Sequence, residues 1–226
     1  MKDILDKIAL CVEVGKINKL SAYPPNMKGQ EGADELTKRA LDAGCSPKEI
    51  LDTALVPAMA IIGNKFSRNE IYVPQMLLSA RAMSSAMVHL KPFFITGQAV
   101  RKGTFIIGTV KGDLHDIGKN LVAMMIEGSG WEVIDLGVDI SSAKFLKALE
   151  EKPDAIVGLS ALLTTTMENM KTIVSDIKEK HINTKIIVGG APVTQEYCVK
   201  IGADHYSQDP QGAVDYLNQL VNNRTH

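Results

Sequence analysis

Thr104-Phe105-Ile106-Ile107-Gly108-Thr109-Val110 is an apolar run of strand length, and after Lys111 comes Gly112-Asp113-Leu114-His115-Asp116-Ile117-Gly118. Lys119 to Glu127 then reads as a helix. The second stretch is therefore a loop at the carboxyl end of a buried parallel strand, where open α/β sheets place their ligands. It offers one imidazole, two carboxylates and two glycines within seven residues. An Asp two positions before a His can accept the proton of one ring nitrogen, fixing the tautomer and leaving the other nitrogen free as a metal ligand. Gly118 lets the backbone approach a bulky ligand. The same D-x-H-x-x-G pattern also suits a plain helix cap with a packing glycine, so the loop alone does not decide between the two.

Further along, the pattern of strand and helix repeats. Trp131 to Leu136, Ala155 to Leu159 and Lys185 to Val188 are short apolar runs, with a weaker one near Asp204 to Tyr206. Helical periodicity falls between them, at Ser142 to Glu150 and Met167 to Lys180, and ends with Gly212 to Val221. This alternation predicts a doubly wound, five-stranded parallel sheet of flavodoxin-like type. Two more strand ends then face the same edge. One reads Gly158-Leu159-Ser160-Ala161-Leu162-Leu163-Thr164-Thr165-Thr166, with hydroxyls where strand gives way to helix, and the other Val188-Gly189-Gly190-Ala191-Pro192. Paired glycines there are either a turn or a floor left bare for a flat or deep ligand.

Upstream the sequence reads as helices. Ile4, Ile8, Cys11 and Val12 form one stripe; Leu36, Ala40 and Leu41 form another that stops at Gly44, a C-cap. Ser46-Pro47-Lys48-Glu49 is a helix start, and the helix runs to Phe66 with a kink expected at Pro57. Val73-Pro74-Gln75 opens a fourth, whose Met76, Met83 and Met87 read as core. Short connections predict an antiparallel four-helix bundle over residues 1–97. Pro92 and Gly97 break the pattern, and Gln98 to Gly103 reads as a linker and hinge into a second domain, 98–226. The Pro24-Pro25 loop reads as a tolerated insertion or, as the alternative, a docking feature.

Composition excludes several classes. A net charge of −1 gives no reason to expect nucleic acid as a partner, and a single Trp argues against a base-stacking platform. No apolar run is long enough to span a membrane, and no secretory h-region follows Met1-Lys2-Asp3. Cys11, Cys45 and Cys198 are odd in number and widely spaced, as expected of reduced thiols in a cytoplasm.

Taken together, D-x-H-x-x-G, then S-x-L, then G-G, behind a helical bundle, resembles the cobalamin-binding module of methionine synthase. More closely it resembles the free-standing corrinoid proteins of methyltransferase systems in acetogens and methanogens. Asp113, His115 and Gly118 match the first motif, Ser160 and Leu162 the second, Gly189 and Gly190 the third. In the bundle the matches are Gly63-Asn64-Lys65-Phe66 and Tyr72-Val73-Pro74-Gln75.

The resemblance implies a cobalt corrinoid bound base-off, with His115 as lower axial ligand and the nucleotide tail entering the sheet between the Ser160 and Gly189-Gly190 strand ends. The family's His–Asp–Ser relay becomes His115, Asp113 and Thr166, with the hydroxyl kept on a stiffer side chain. Phe66 and Val73 match residues that cap the methyl-bearing face, Val73 standing where methionine synthase has Leu. Asp52 matches a Glu that contacts the corrinoid from above. The expected cofactor-binding set is completed by Gly112, Leu114, Asp116, Ile117, Thr164, Thr165, Ala191 and Asp209. The implied function is a methyl carrier, cycling through methylcobalamin and not an enzyme by itself. One methyltransferase loads the methyl group from a small methylated compound, a second passes it to tetrahydrofolate or a thiol, and a reductive activase rescues oxidised cobalt. Donor specificity then lies in the partner enzyme.

The rival readings are a cobalamin-dependent sensor, a mutase subunit, and a receiver or flavodoxin module without cobalt. A sensor is expected to carry a DNA-binding segment before the bundle and a Trp within it, but Met1 to Val14 leads straight into the bundle, which has neither Trp nor basic face. A mutase subunit does not need the bundle, and a receiver has no use for His115 above a Gly-Gly floor.

Overall fold

The computed structural model describes residues 2–96 and 101–224. The chain forms two compact units, residues 1–101 with 128–130, and residues 102–127 with 131–226. Positions 97–100 of the expected linker and hinge, Gly97 among them, lie outside the described residues.

The first unit is built from α1 (Lys2–Val14), α2 (Ala33–Asp42), α3 (Pro47–Ile50), α4 (Val56–Ser67) and α5 (Val73–Ile95). Helix α1 packs on α2, α4 and α5, and α2 packs on α5. The stripes that predicted the helices are largely the buried faces: Ile8, Cys11 and Val12 on α1, where Leu5 is buried and the expected Ile4 only half-buried, and Met76, Ala80, Met83 and Met87 on α5, joined by Leu90. Ser46 accepts a hydrogen bond from the Glu49 N–H at 3.1 Å, with Pro47 in the first turn. Leu51–Leu55 is a π-helical turn that joins α3 directly to α4, closed by the Val56 N–H on the Leu51 carbonyl. Pro57 follows at once. It has no N–H to offer the residue 53 carbonyl and its ring crowds that carbonyl, and the widened turn takes up the mismatch that the sequence predicts as a kink.

Pro92 does not end α5, contrary to expectation; the helix runs on to Ile95, with Thr96 N–H bonded to the Pro92 carbonyl. The carbonyl deprived of its donor is that of Val88, an exposed residue where water can replace the bond.

The second unit alternates β1 (Thr104–Thr109), α6 (Ile117–Gly128), β2 (Glu132–Asp135), α7 (Ser142–Glu151), β3 (Ile156–Ser160), α8 (Met167–Lys180), β4 (Ile186–Gly189), α9 (Gln195–Ile201), β5 (His205–Ser207) and α10 (Pro210–Arg224). All strands are parallel, in the order β2-β1-β3-β4-β5. This is the flavodoxin-like order, with its switch point between β1 and β3. Strand β1 is buried at five of its six positions, which is why it reads as a continuous apolar run rather than an alternation. Ile106, Val157, Leu159, Ile186 and Val188 form one core with Phe145 and Leu149 of α7, Ile173 and Ile177 of α8, and Cys198 of α9. The right-handed rule for crossovers puts α6 on the opposite face. Helix α9 was not expected from the sequence: its seven residues are too few for a periodicity, though Thr194 caps it and Gly202 closes it at φ +78°.

Candidate functional site

The switch point is where the site is built. Asp113, in the β1–α6 loop, is fully buried, and its carboxylate gathers five donors. Oδ1 accepts from the His115 N–H at 3.1 Å and lies 2.7 Å from His115 Nδ1. Oδ2 accepts from the N–H groups of Leu162 (2.8 Å) and Leu163 (3.2 Å) and from the Thr166 hydroxyl (2.8 Å). Burial pushes the carboxyl towards its neutral form. The bonds from Leu162, the His115 ring, Thr166 and the His115 amide outweigh it and hold Asp113 well below the usual carboxylate range. A carboxylate so placed fixes the imidazole: Nδ1 carries the proton, and Nε2 is turned to a half-exposed surface with no partner among the described residues.

The loop is tied down on several sides. Thr109 donates its hydroxyl to the His115 carbonyl at 2.8 Å, and Asn169 donates its amide to the Lys111 carbonyl at 2.8 Å. Asp116 stands at the N-terminal cap position of α6, its carbonyl accepting from Asn120 N–H and its carboxylate from the Asn120 amide. Lys119, buried, reaches Asp135 at the end of β2.

Around His115 the edge is apolar and exposed. Leu114 and Ile117 are 71% and 68% exposed, and Leu162 and Leu163 each 42%. Four large aliphatic side chains left to solvent beside one imidazole mark a surface made for a ligand. Gly118 is open: a Cβ there meets nothing within 4 Å. Ser160 is half-buried at the end of β3, while Thr164 and Thr165 are exposed in the following turn and Thr166 points inward.

At the third strand end the glycines have a reason of their own. Gly190 has φ +121°, and a Cβ there would lie 1.8 Å from the Ala161 carbonyl oxygen. At Gly189 it would lie 3.0 Å from the Ser207 carbonyl. The ends of β3 and β4 are also joined, Ala161 N–H donating to the Gly189 carbonyl at 3.2 Å. The two strand ends are thus joined by backbone, and Gly190 and Ala191 beyond them are exposed. Asp209 caps α10, its carboxylate accepting from Gly212 N–H at 2.9 Å. It borders a cavity of about 260 Å³ with Ser207, Gln208, Asp215 and Tyr216.

Phe66 and Val73 are half-buried in the helical unit, at the end of α4 and the start of α5. Asp52 lies in the π-helical turn, paired with Lys48. Asp139 and Leu163 were not anticipated; the signal for Asp139 was its place after β2, at the same carboxyl edge as the other motifs.

These residues fit a corrinoid. A cobalt held by a corrinoid ring would need no cluster of protein ligands, and His115 would offer it one free ring nitrogen; among the described residues no group of three or more His, Cys, Asp or Glu could hold an ion. The aliphatic rim suits a flat, largely apolar ring.

The comparisons agree. Residues 103–214 match the B12 binding domain, and residues 29–91 match a second family model, also described as a B12 binding domain. Trimethylamine corrinoid protein 2 of Methanosarcina acetivorans is 41% identical over 85% of this chain and 90% of its own length. The methanol:cobalamin methyltransferase complex MtaBC of Methanosarcina barkeri superposes with a TM-score of 0.80 at 25% identity, covering 97% of this chain and 80% of that one. A cobalamin-binding protein from Desulfitobacterium hafniense DCB-2 gives 0.70 at 28% identity, covering 95% and 97%. With a cobalamin cofactor, a helical unit and a flavodoxin-like sheet, the chain belongs to the B12-binding corrinoid proteins.

Proposed function

We propose that this protein is a methyl carrier in which His115 Nε2 is the lower axial ligand of cobalt. The observation that carries the reading is the 2.7 Å bond between His115 Nδ1 and the buried, ionised Asp113, which leaves Nε2 free. A bound cobalamin would supply a cobalt centre that takes up a methyl group by forming a cobalt–carbon bond and gives it up when that bond breaks. The chain's part is to hold and tune. Asp113 keeps the imidazole in one tautomer and makes it a better donor. Thr166 steadies Asp113 from below. Leu114, Ile117, Leu162 and Leu163, exposed beside His115, would give the ring an apolar seat. Phe66 and Val73, in the helical unit, are the apolar residues assigned to keeping water from the methyl-bearing cobalt.

The partners are a substrate:corrinoid methyltransferase that loads the carrier, a second methyltransferase acting on tetrahydrofolate or a thiol, and a reductive activase. Relatives named for trimethylamine put methylated amines first among donors to test. The test is reconstitution with hydroxocobalamin, reduction to cobalt(II), and electron paramagnetic resonance of wild type and His115→Ala. Axial nitrogen coupling in the first and not the second is expected. An unchanged coupling in the variant rules His115 out, and failure to bind cobalamin stoichiometrically ends the reading altogether.

A further inference from the structure

The loop that carries His115 is held from the β2 side by one residue. Asp139 lies in the turn between β2 and α7, a turn laced to β1 by Leu136 N–H on Ile107 O (2.8 Å), Thr109 N–H on Gly137 O (3.0 Å) and Ile140 N–H on Thr109 O (2.9 Å). From that anchored position Asp139 makes two opposite bonds. Its Oδ1 accepts from Gly112 N–H at 2.7 Å, and its own N–H donates to the Asp113 carbonyl at 3.0 Å. Asp139 has φ +55° and Gly112 φ +83°, so the clasp brings together two left-handed residues. Asp and Asn tolerate that conformation; most other side chains do not. Asp139 is exposed, so packing does not explain its conformation.

We infer that Asp139 is a positioning residue for the axial histidine, acting through the Gly112–Asp113 backbone. This rests on the reading of His115 as ligand. The route is short. The Asp113 carboxylate is placed by the backbone that Asp139 grips, and the same carboxylate receives both the amide and the Nδ1 proton of His115. Thr109 and Asn169 hold the loop from β1 and α8; among the described residues only Asp139 bonds both the Gly112 N–H and the Asp113 carbonyl. Loss of its side-chain acceptor frees Gly112, and the imidazole samples orientations that do not point Nε2 along one axis.

Three variants separate the parts. Asp139→Asn keeps an acceptor oxygen and the left-handed backbone. Asp139→Gly keeps the backbone and loses the acceptor. Asp139→Ala loses both. In cofactor-free protein, exchange of the Gly112 amide should quicken about tenfold in Asp139→Gly and stay near wild type in Asp139→Asn. In cobalt(II) protein, the fraction showing axial nitrogen coupling should fall several-fold in the Gly and Ala variants and be retained in Asn. Thermal unfolding before and after confirms that all three fold. An unchanged nitrogen signature in Asp139→Gly, or Asn behaving like Ala, overturns the inference while leaving His115 as ligand. Absence of the signature from wild type itself removes the ligand reading, and this inference with it.

Discussion

The hydroxyl of Thr166 lies 2.8 Å from Oδ2 of Asp113 and also 2.8 Å from the Leu163 carbonyl. One hydroxyl has one proton, so it bonds either the carboxylate or the carbonyl at a given moment. Thr166→Val keeps the shape and removes the proton. It should destabilise the protein by about 1–2 kcal/mol in urea unfolding and alter the cobalt(II)/cobalt(I) potential of the loaded form. Thr166→Ser should restore the potential. Identical potentials in all three would take Thr166 out of the tuning.

Asp113→Asn is expected to be costly before any cofactor is bound. Five donors face a carboxylate; an asparagine offers one oxygen and turns an NH2 towards the rest. A loss of roughly 3 kcal/mol is expected. The pH dependence has a definite sign. Asp113 is more acidic folded than unfolded, so its contribution is full above about pH 4 and is lost as pH falls towards the folded value. In the cofactor-free protein, wild type should lose more stability than Asp113→Asn between neutral pH and acid. Parallel pH profiles would contradict the assignment.

Two glycines should answer opposite questions. Gly190→Ala places a Cβ 1.8 Å from the Ala161 carbonyl, and should destabilise the cofactor-free protein by roughly 3 kcal/mol or more. Gly118→Ala meets nothing within 4 Å and lies in α6; it should stabilise the cofactor-free protein by about 0.5–1 kcal/mol while weakening cobalamin uptake. Calorimetry without cofactor and titration with it distinguish the two. Normal uptake by Gly118→Ala would place the ring elsewhere.

Phe66→Ala tests the cap. Corrinoid binding should persist, since the strand-end loops are untouched, while cobalt(I) should oxidise faster in air and the methylated form should photolyse faster. Unchanged rates would make the helical unit a passive scaffold.

Most of the sheet was legible because β1, β3 and β4 are buried on both faces and leave unbroken apolar runs such as Thr104 to Val110. The His115–Asp113 pair was legible because it is local, two residues apart. What escaped was long-range. Asp139 bonds Gly112 across 27 positions, and no spacing rule reports that. Gly190 was open from the sequence as turn or ligand floor, and the reason a Cβ is barred there, Ala161 29 residues earlier, is a contact only the folded strand ends create. Pro92 misled because the residue losing its donor, Val88, faces solvent, so the usual penalty is relieved.

The π-helical turn at Leu51–Leu55 sets the phase of its helix. Buried residues along it come in pairs, Ile50 and Leu51, Ala54 and Leu55, Ala58 and Met59, Ile62 and Gly63, a repeat of four. A regular helix advances about 100° per residue, so such a repeat drifts by about 40° each turn and by about 120° from Ile50 to Ile62. One additional residue in a single turn cancels about 100° of that drift. The wide turn is thus an angular correction that keeps a four-residue repeat pointed at one neighbour. The turn can therefore accept loss of one of its five residues: ordinary winding at about 100° per residue over the shortened stretch makes the same net rotation, so Met59 and Ile62 keep facing the core, whereas closing the wide turn without a deletion would swing them away.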